Sequence, residues 1–179
     1  MRAERPIRHS LTKGAGSDDL LALLGECHER IRAFTDLAVE ASRPEPTDAD
    51  VAEACARCLR YFDEALPLHV ADEEESVFPR LAGLSGDVDG ALAAMHAQHL
   101  SHRPHVEDLA AALAALRDAP ADPWRRNYLG TVASQLQDHF DEHLALEEAV
   151  LFPLIASSMT AAVQADVVRE LRARRQPSR

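Results

Sequence analysis

Two eleven-residue segments of this chain repeat one pattern, His69-x-x-x-Glu73-Glu74-x-x-x-Phe78-Pro79 and His143-x-x-x-Glu147-Glu148-x-x-x-Phe152-Pro153. Residues four apart share a face of a helix, so each segment can send one imidazole and one carboxylate inward. An upstream histidine accompanies each copy: His28 lies 41 residues before His69, and His99 lies 44 before His143. Four imidazoles and two carboxylates, each carboxylate with two oxygens able to bridge, make a donor set for two metal ions sharing one buried site. A single His-x-x-x-Glu is equally what a solvated helix pair looks like. The doubled motif, with its Glu-Glu and Phe-Pro offsets kept and two further histidines on apolar stripes, points to metal instead. An ionised carboxylate facing a dry core is strongly unfavourable unless paired or coordinated. Cations would resolve that for both glutamates together.

Four helices must carry these groups. Ser17, with Asp18 and Asp19 in the first turn, predicts the start of a helix whose stripe runs Leu20, Leu21, Leu24, His28, Ile31, Phe34 and Leu37, broken at Pro44 and Pro46. Thr47 and Asp50 resemble a capping box for a second helix, with Val51, Cys55, Cys58, Phe62, Leu66, His69 and Glu73 inward. A third runs from about Asp87 to Leu116; Pro104 inside it predicts a kink or irregularity past His99. Asp122-Pro123 opens a fourth, with Leu129, Val132, Leu136, His139 or Phe140, His143, Glu147, Val150 and Leu151 on its stripe. Pro79 and Pro153 predict matched helix ends or kinks. The expected fold is all-α: an up-down-up-down four-helix bundle over residues 17–158, a flexible tail over 1–16, and a short fifth helix and tail over 159–179.

The composition agrees with one globular domain: 46% hydrophobic, 27% charged and 4% aromatic over 179 residues, rich in the Ala and Leu that suit helices. A net charge of -11 argues against nucleic acid as a partner; the locally basic Arg169 to Arg175 reads as a solvated helix end. No signal-like or membrane-spanning apolar run is present, and three cysteines suggest no disulfide framework, so the expected compartment is the cytoplasm. Cys55-x-x-Cys58 falls on the inward stripe and reads as core filling rather than redox chemistry. Cys27 adjoins His28 but points away around the helix. Glu74, Glu75 and Glu148 are expected to face solvent. Trp124 and Tyr128 are expected to pack at the entrance of the fourth helix.

The pattern resembles the hemerythrin-like, or HHE cation-binding, domain from Ser17 to about Ser157. The resemblance rests on His28 in Cys-His-Glu-Arg-Ile, His69 and Glu73 in His-Val-Ala-Asp-Glu-Glu, His99 in Gln-His-Leu-Ser-His-Arg-Pro, and His143 and Glu147 in His-Leu-Ala-Leu-Glu-Glu. It implies a non-haem di-iron centre in a four-helix bundle, with His28 and His69 serving one iron, His99 and His143 the other, and Glu73 and Glu147 bridging. Oxygen-carrying relatives place two histidines four apart on the third helix; here Met95 and Arg103 stand four either side of His99. His96, His102 and His139 are the nearby alternatives, expected as supporting or surface side chains, with His102 the best placed. The resulting open positions argue against a dedicated oxygen carrier.

The function expected from this resemblance is binding of, or reaction with, a small oxidant (oxygen, nitric oxide or peroxide) at two iron ions, although zinc or manganese also suits the donor set. A non-catalytic metal sensor or iron-handling module is the alternative, with no protein partner indicated. Iron–sulfur cluster repair ranks lower, because similar repair proteins often carry an N-terminal cysteine-bearing domain for which the residues before Ser17 leave no room.

Overall fold

The computed structural model describes residues 18–176. The expected tail over 1–16, with its His9, and the expected cap Ser17 lie outside the described residues. Five helical rods follow: α1 (Leu20–Ala41), α2 (residues 48–81), α3 (Gly86–Asp118), α4 (residues 123–158) and α5 (Ala161–Arg174), with no strand among the described residues. The connections are short, and α1 and α3 each pack against both α2 and α4, which makes an antiparallel four-helix bundle. No described helix is long and apolar enough to cross a membrane.

The starts of the rods follow from side-chain caps. Asp19 accepts from the Ala22 amide and so caps α1, two residues after the serine expected to do so. Thr47 caps α2 through the Asp50 amide and also donates to the Asp50 carboxylate at 2.7 Å. Ser85 caps α3, and Asp122 caps α4 with Pro123 in the first helical position. Thr160 caps α5. Between α2 and α3 the chain turns through Gly83, whose φ of 81° lies in the left-handed region that glycine enters without strain.

Three prolines shape the rods in a way the sequence suggested only in part. At Pro79 and Pro153, where ends or kinks are expected, α2 and α4 widen just before the proline and end soon after it, at Leu81 and Ser158. The π turn Asp72–Val77 closes with the Phe78 amide on the Glu73 carbonyl, and Glu147–Leu151 closes with the Phe152 amide on the Glu147 carbonyl. A third turn, Tyr61–Ala65, precedes Pro67 in the same way. A proline ring collides with the carbonyl four residues back and has no amide to offer it, so one extra residue in the preceding turn relieves the clash. Past Pro104, where a kink or irregularity is expected, α3 continues as α-helix to Asp118. The carbonyl that Pro104 deprives belongs to Leu100, which is exposed, so water can take that bond.

The interior has three layers. One apolar cluster, including Ile31, Phe62, Leu113 and Leu136, fills the end where α2 starts. A second, including Leu24, Leu81, Met95 and Ile155, fills the other end, where Val167, Val168 and Leu171 of α5 close it. The polar groups of the two motifs lie between these dry layers.

Candidate metal centre

All six side chains singled out by the repeats converge in that middle layer. His28, Glu73 and Glu147 are fully buried, His69 and His143 are 3% exposed, and the His99 side chain is 5% exposed. Two groups of donor atoms form, His28, His69, Glu73 and Glu147 in one and Glu73, His99, His143 and Glu147 in the other, with one donor atom from each residue within 4.8 Å of the rest. Both carboxylates belong to both groups. Glu73 turns Oε1 toward His28 and His69, at 3.9 and 3.6 Å from their Nε2 atoms, and Oε2 toward His99 at 3.3 Å. Glu147 turns Oε2 toward His28 at 3.3 Å, and Oε1 toward His99 and His143 at 3.6 and 3.0 Å.

The chemistry of these atoms fits cations. Both oxygens of Glu73 and of Glu147, and Nε2 of His28, His69 and His99, are buried without a hydrogen-bond partner among the described residues. Buried polar atoms are rarely left in that state, and each costs the desolvation of a strong acceptor. Seven such atoms left unpaired together in one interior spot are satisfied by metal ions, which displace any imidazole protons, far better than by the apolar layers around them.

Residues that looked solvent-facing in the sequence fix the histidines. Glu148, beside Glu147, accepts from His28 Nδ1 at 2.9 Å. Glu74, beside Glu73, accepts from His99 Nδ1 at 2.8 Å, and from the exposed His96 as well. Gln98 accepts from His143 Nδ1 at 2.9 Å. With Nδ1 donating outward, Nε2 is the nitrogen turned to the carboxylates and the one that would offer a lone pair to a metal once deprotonated. The phenylalanines of the two motifs serve the same rings: Phe152 stacks on His28 with centroids 5.1 Å apart, and Phe78 stacks on His99 at 6.1 Å. Each repeat therefore supports the upstream histidine of the other half. Of the three glutamates expected outside, Glu75 and Glu148 are exposed and Glu74 is partly buried; Glu75 also reaches Arg174. The residue matching Gln98 in the first half is Cys27, and His69 Nδ1 has no hydrogen-bond partner among the described residues.

Charge follows the same geometry. Burial pushes the His28 and His99 imidazoles down, but the nearby carboxylates of Glu147, Glu73 and the outer glutamates outweigh it and carry both up to about 10. Burial holds His69 below its usual value, with Glu73 and Glu147 opposing. Glu147, despite burial, is held well below the usual carboxylate range by His143, His28 and His99.

The remaining candidates fall outside the two donor groups. His96 is on the surface, bound to Glu74. His139 is exposed and stacks on His105; the inward residue of that pair of alternatives is Phe140. His102 is buried against His143 and Phe140, where burial pushes it down to about 4, helped by the neighbouring histidines. Cys55 and Cys58 are fully buried, and burial raises their thiols to about 11 and about 12, so neither is a ready thiolate. Trp124 and Tyr128 stack on each other in solvent and do not cover the site. A cavity of about 300 Å³ between α2, α3 and α4 reaches the site at His69, His99 and His143.

The basic end of the chain is not simply solvated. Asp72, fully buried and next to Glu73, receives Arg174 at 2.8 Å and Arg175 at 2.6 Å from α5. Arg174 also donates to Ser76 at 2.7 Å, and Arg80 joins Glu170 at 2.6 Å. Thus α5 grips the π turn that presents Glu73.

The chain is similar to known proteins over most of its length. The protein named "Iron-sulfur cluster repair protein YtfE" of Enterobacter sp. (strain 638) is 27% identical over 165 residues, covering 84% of this chain and 71% of the relative. The protein of the same name from Escherichia coli O1:K1 / APEC is 25% identical over 158 residues, with the same coverage of 84% and 71%. The model of the hemerythrin HHE cation binding domain matches residues 19–155. This chain belongs to the hemerythrin HHE cation-binding family.

Proposed function

We propose that His28, His69, Glu73, His99, His143 and Glu147 hold two iron ions, with Glu73 and Glu147 each bridging the pair. His28 and His69 would serve one ion, His99 and His143 the other. The observation that carries this is the convergence of buried, unpartnered donor atoms on one point, with each carboxylate turning one oxygen to each group. Iron rather than zinc or manganese rests on the family, since imidazole and carboxylate suit all three.

The activity we propose is binding of, or reaction with, a small oxidant such as oxygen, nitric oxide or peroxide. A bound iron pair supplies one-electron changes between ferrous and ferric together with open positions for a ligand. The chain supplies the rest. Glu148, Glu74 and Gln98 fix the tautomers and orientations of three histidines, the apolar layers keep bulk water out, and the cavity gives a small molecule access to the His69, His99 and His143 side. The test is anaerobic iron loading followed by exposure to oxygen, nitric oxide and hydrogen peroxide in turn, with absorption recorded. Two irons per chain and a new near-ultraviolet absorption with at least one of the three support the reading. A protein that takes up only zinc from iron-replete cells contradicts it.

The names of the relatives favour a second reading, repair of iron–sulfur clusters. Incubation of the iron-loaded protein with a nitric-oxide-damaged iron–sulfur enzyme separates the two. Recovery of that enzyme's activity selects repair; spectral response to oxidants without recovery selects the first.

A further inference from the structure

The cavity beside the site is much larger than a diatomic molecule needs. It measures about 300 Å³, whereas a water molecule takes about 30 Å³ in the liquid, and pockets for small organic molecules begin at about this size. Its walls include Ile31, Phe62, Leu66, Val106 and Phe140, all apolar. The charged groups beside it are Glu74, Glu75, Glu107 and Arg103, carboxylates outnumbering the one guanidinium, which disfavours an anionic occupant.

Inside, one polar group has no task in the metal centre. His102 lines the cavity, is 7% exposed, and makes no side-chain hydrogen bond among the described residues. Its ring lies edge-on to those of His143 at 5.0 Å, Phe140 at 5.2 Å and His139 at 6.0 Å between centroids. Its ring nitrogens are not among the enclosed, unpartnered polar atoms of the interior, so they open on the cavity and can pair with what enters it.

We propose that this cavity binds an uncharged, mainly apolar organic molecule bearing one oxygen group, with His102 hydrogen-bonded to that oxygen and the apolar body against Phe62, Leu66 and Val106. Resting on the oxidant reading above, the member of this class that the cavity would hold beside the metal pair is an alkyl hydroperoxide.

Zinc-loaded protein tests the cavity without redox chemistry. Cumyl alcohol, the reduced counterpart of an aryl-alkyl hydroperoxide, is titrated by calorimetry, and its protons are located by nuclear Overhauser contacts. Saturable binding with contacts to the rings of Phe62 and Phe140 is expected. Val106→Trp, which fills the cavity, should weaken binding at least about tenfold. His102→Phe, similar in size but unable to hydrogen-bond, should weaken it about fivefold while leaving the binding of benzene unchanged. Both variants should keep two zinc ions per chain, which also shows that they fold. Three results overturn the proposal: no saturable binding to the parent protein, equal binding by Val106→Trp, or loss of a zinc ion from His102→Phe, which would make that imidazole a ligand. Because zinc undergoes no redox change, a failure here is distinct from an iron-loaded protein that ignores every oxidant.

Discussion

Glu148 and Glu74 each sit beside a carboxylate of the metal centre, yet they work for histidines of the opposite half. Removing such an acceptor leaves an imidazole free to turn and lowers its basicity, at a typical loss of about ten- to a hundredfold in metal affinity. Glu148→Ala should show that loss through His28, and Glu74→Ala through His99; Glu148→Gln, which keeps an acceptor, should lose less. Competition against a calibrated chelator measures it, and unchanged affinity in both alanine variants removes these residues from the account. Protons give a second handle. His28 and His99, raised from 6.5 to about 10 in the metal-free protein, stay protonated at neutral pH and must lose those protons to coordinate. Metal affinity should therefore rise with pH up to about 10, and metal uptake at pH 7.5 should release about two protons per chain. The sign for the metal-free fold is opposite: this stabilisation is complete below 6.5 and is lost as pH rises through about 10. Calorimetry in buffers of different ionisation enthalpy counts the protons, and zero release contradicts the assignment. The six central residues were legible because a repeat with fixed offsets stands out in a single sequence. The tasks of Glu74, Glu148 and Gln98 were not, because each bonds a side chain on another helix and nothing local marks that pairing.

At the scale of the elements, caps and apolar stripes carried most of the information. Thr47, Ser85, Asp122 and Thr160 start their helices by accepting from amides two or three residues on, which depends only on nearby sequence. The π turns did not announce themselves, because a turn with one extra residue uses the same residue types as an α turn. The prolines marked their places, but their effect depends on whether the rod beyond is held, and α2 and α4 are held on both sides of the bundle. The reach of Arg174 and Arg175 was hidden too, since a basic helix end is ordinarily solvated. Arg174→Ala combined with Arg175→Ala leaves the Asp72 carboxylate buried and unpaired, a change that typically costs about 3–5 kcal/mol. Its amides at 72–77 should exchange with solvent faster, while those at 147–151 in α4 stay protected. Equal protection of both turns in the variant would detach α5 from the presentation of Glu73.

For the whole molecule, the site ties together all four bundle helices, each of which gives at least one of the six side chains. Metal binding is then linked to folding by mass action, adding about 4 kcal/mol when free metal is a thousandfold above its dissociation constant. Chelation should lower the melting temperature markedly. It should not unfold the protein, because the two apolar clusters include none of the six donor residues; far-ultraviolet circular dichroism should keep its helical signal. Complete loss of helix on chelation would show that those layers are too weak to stand alone. The central claim is more specific than stability, namely two ions sharing Glu73 and Glu147. Anomalous diffraction at the iron edge from crystals of the iron-loaded protein tests it most directly. The account predicts two iron peaks flanked by both carboxylates, one beside His28 and His69 and the other beside His99 and His143; a single peak, or peaks away from these carboxylates, would contradict it.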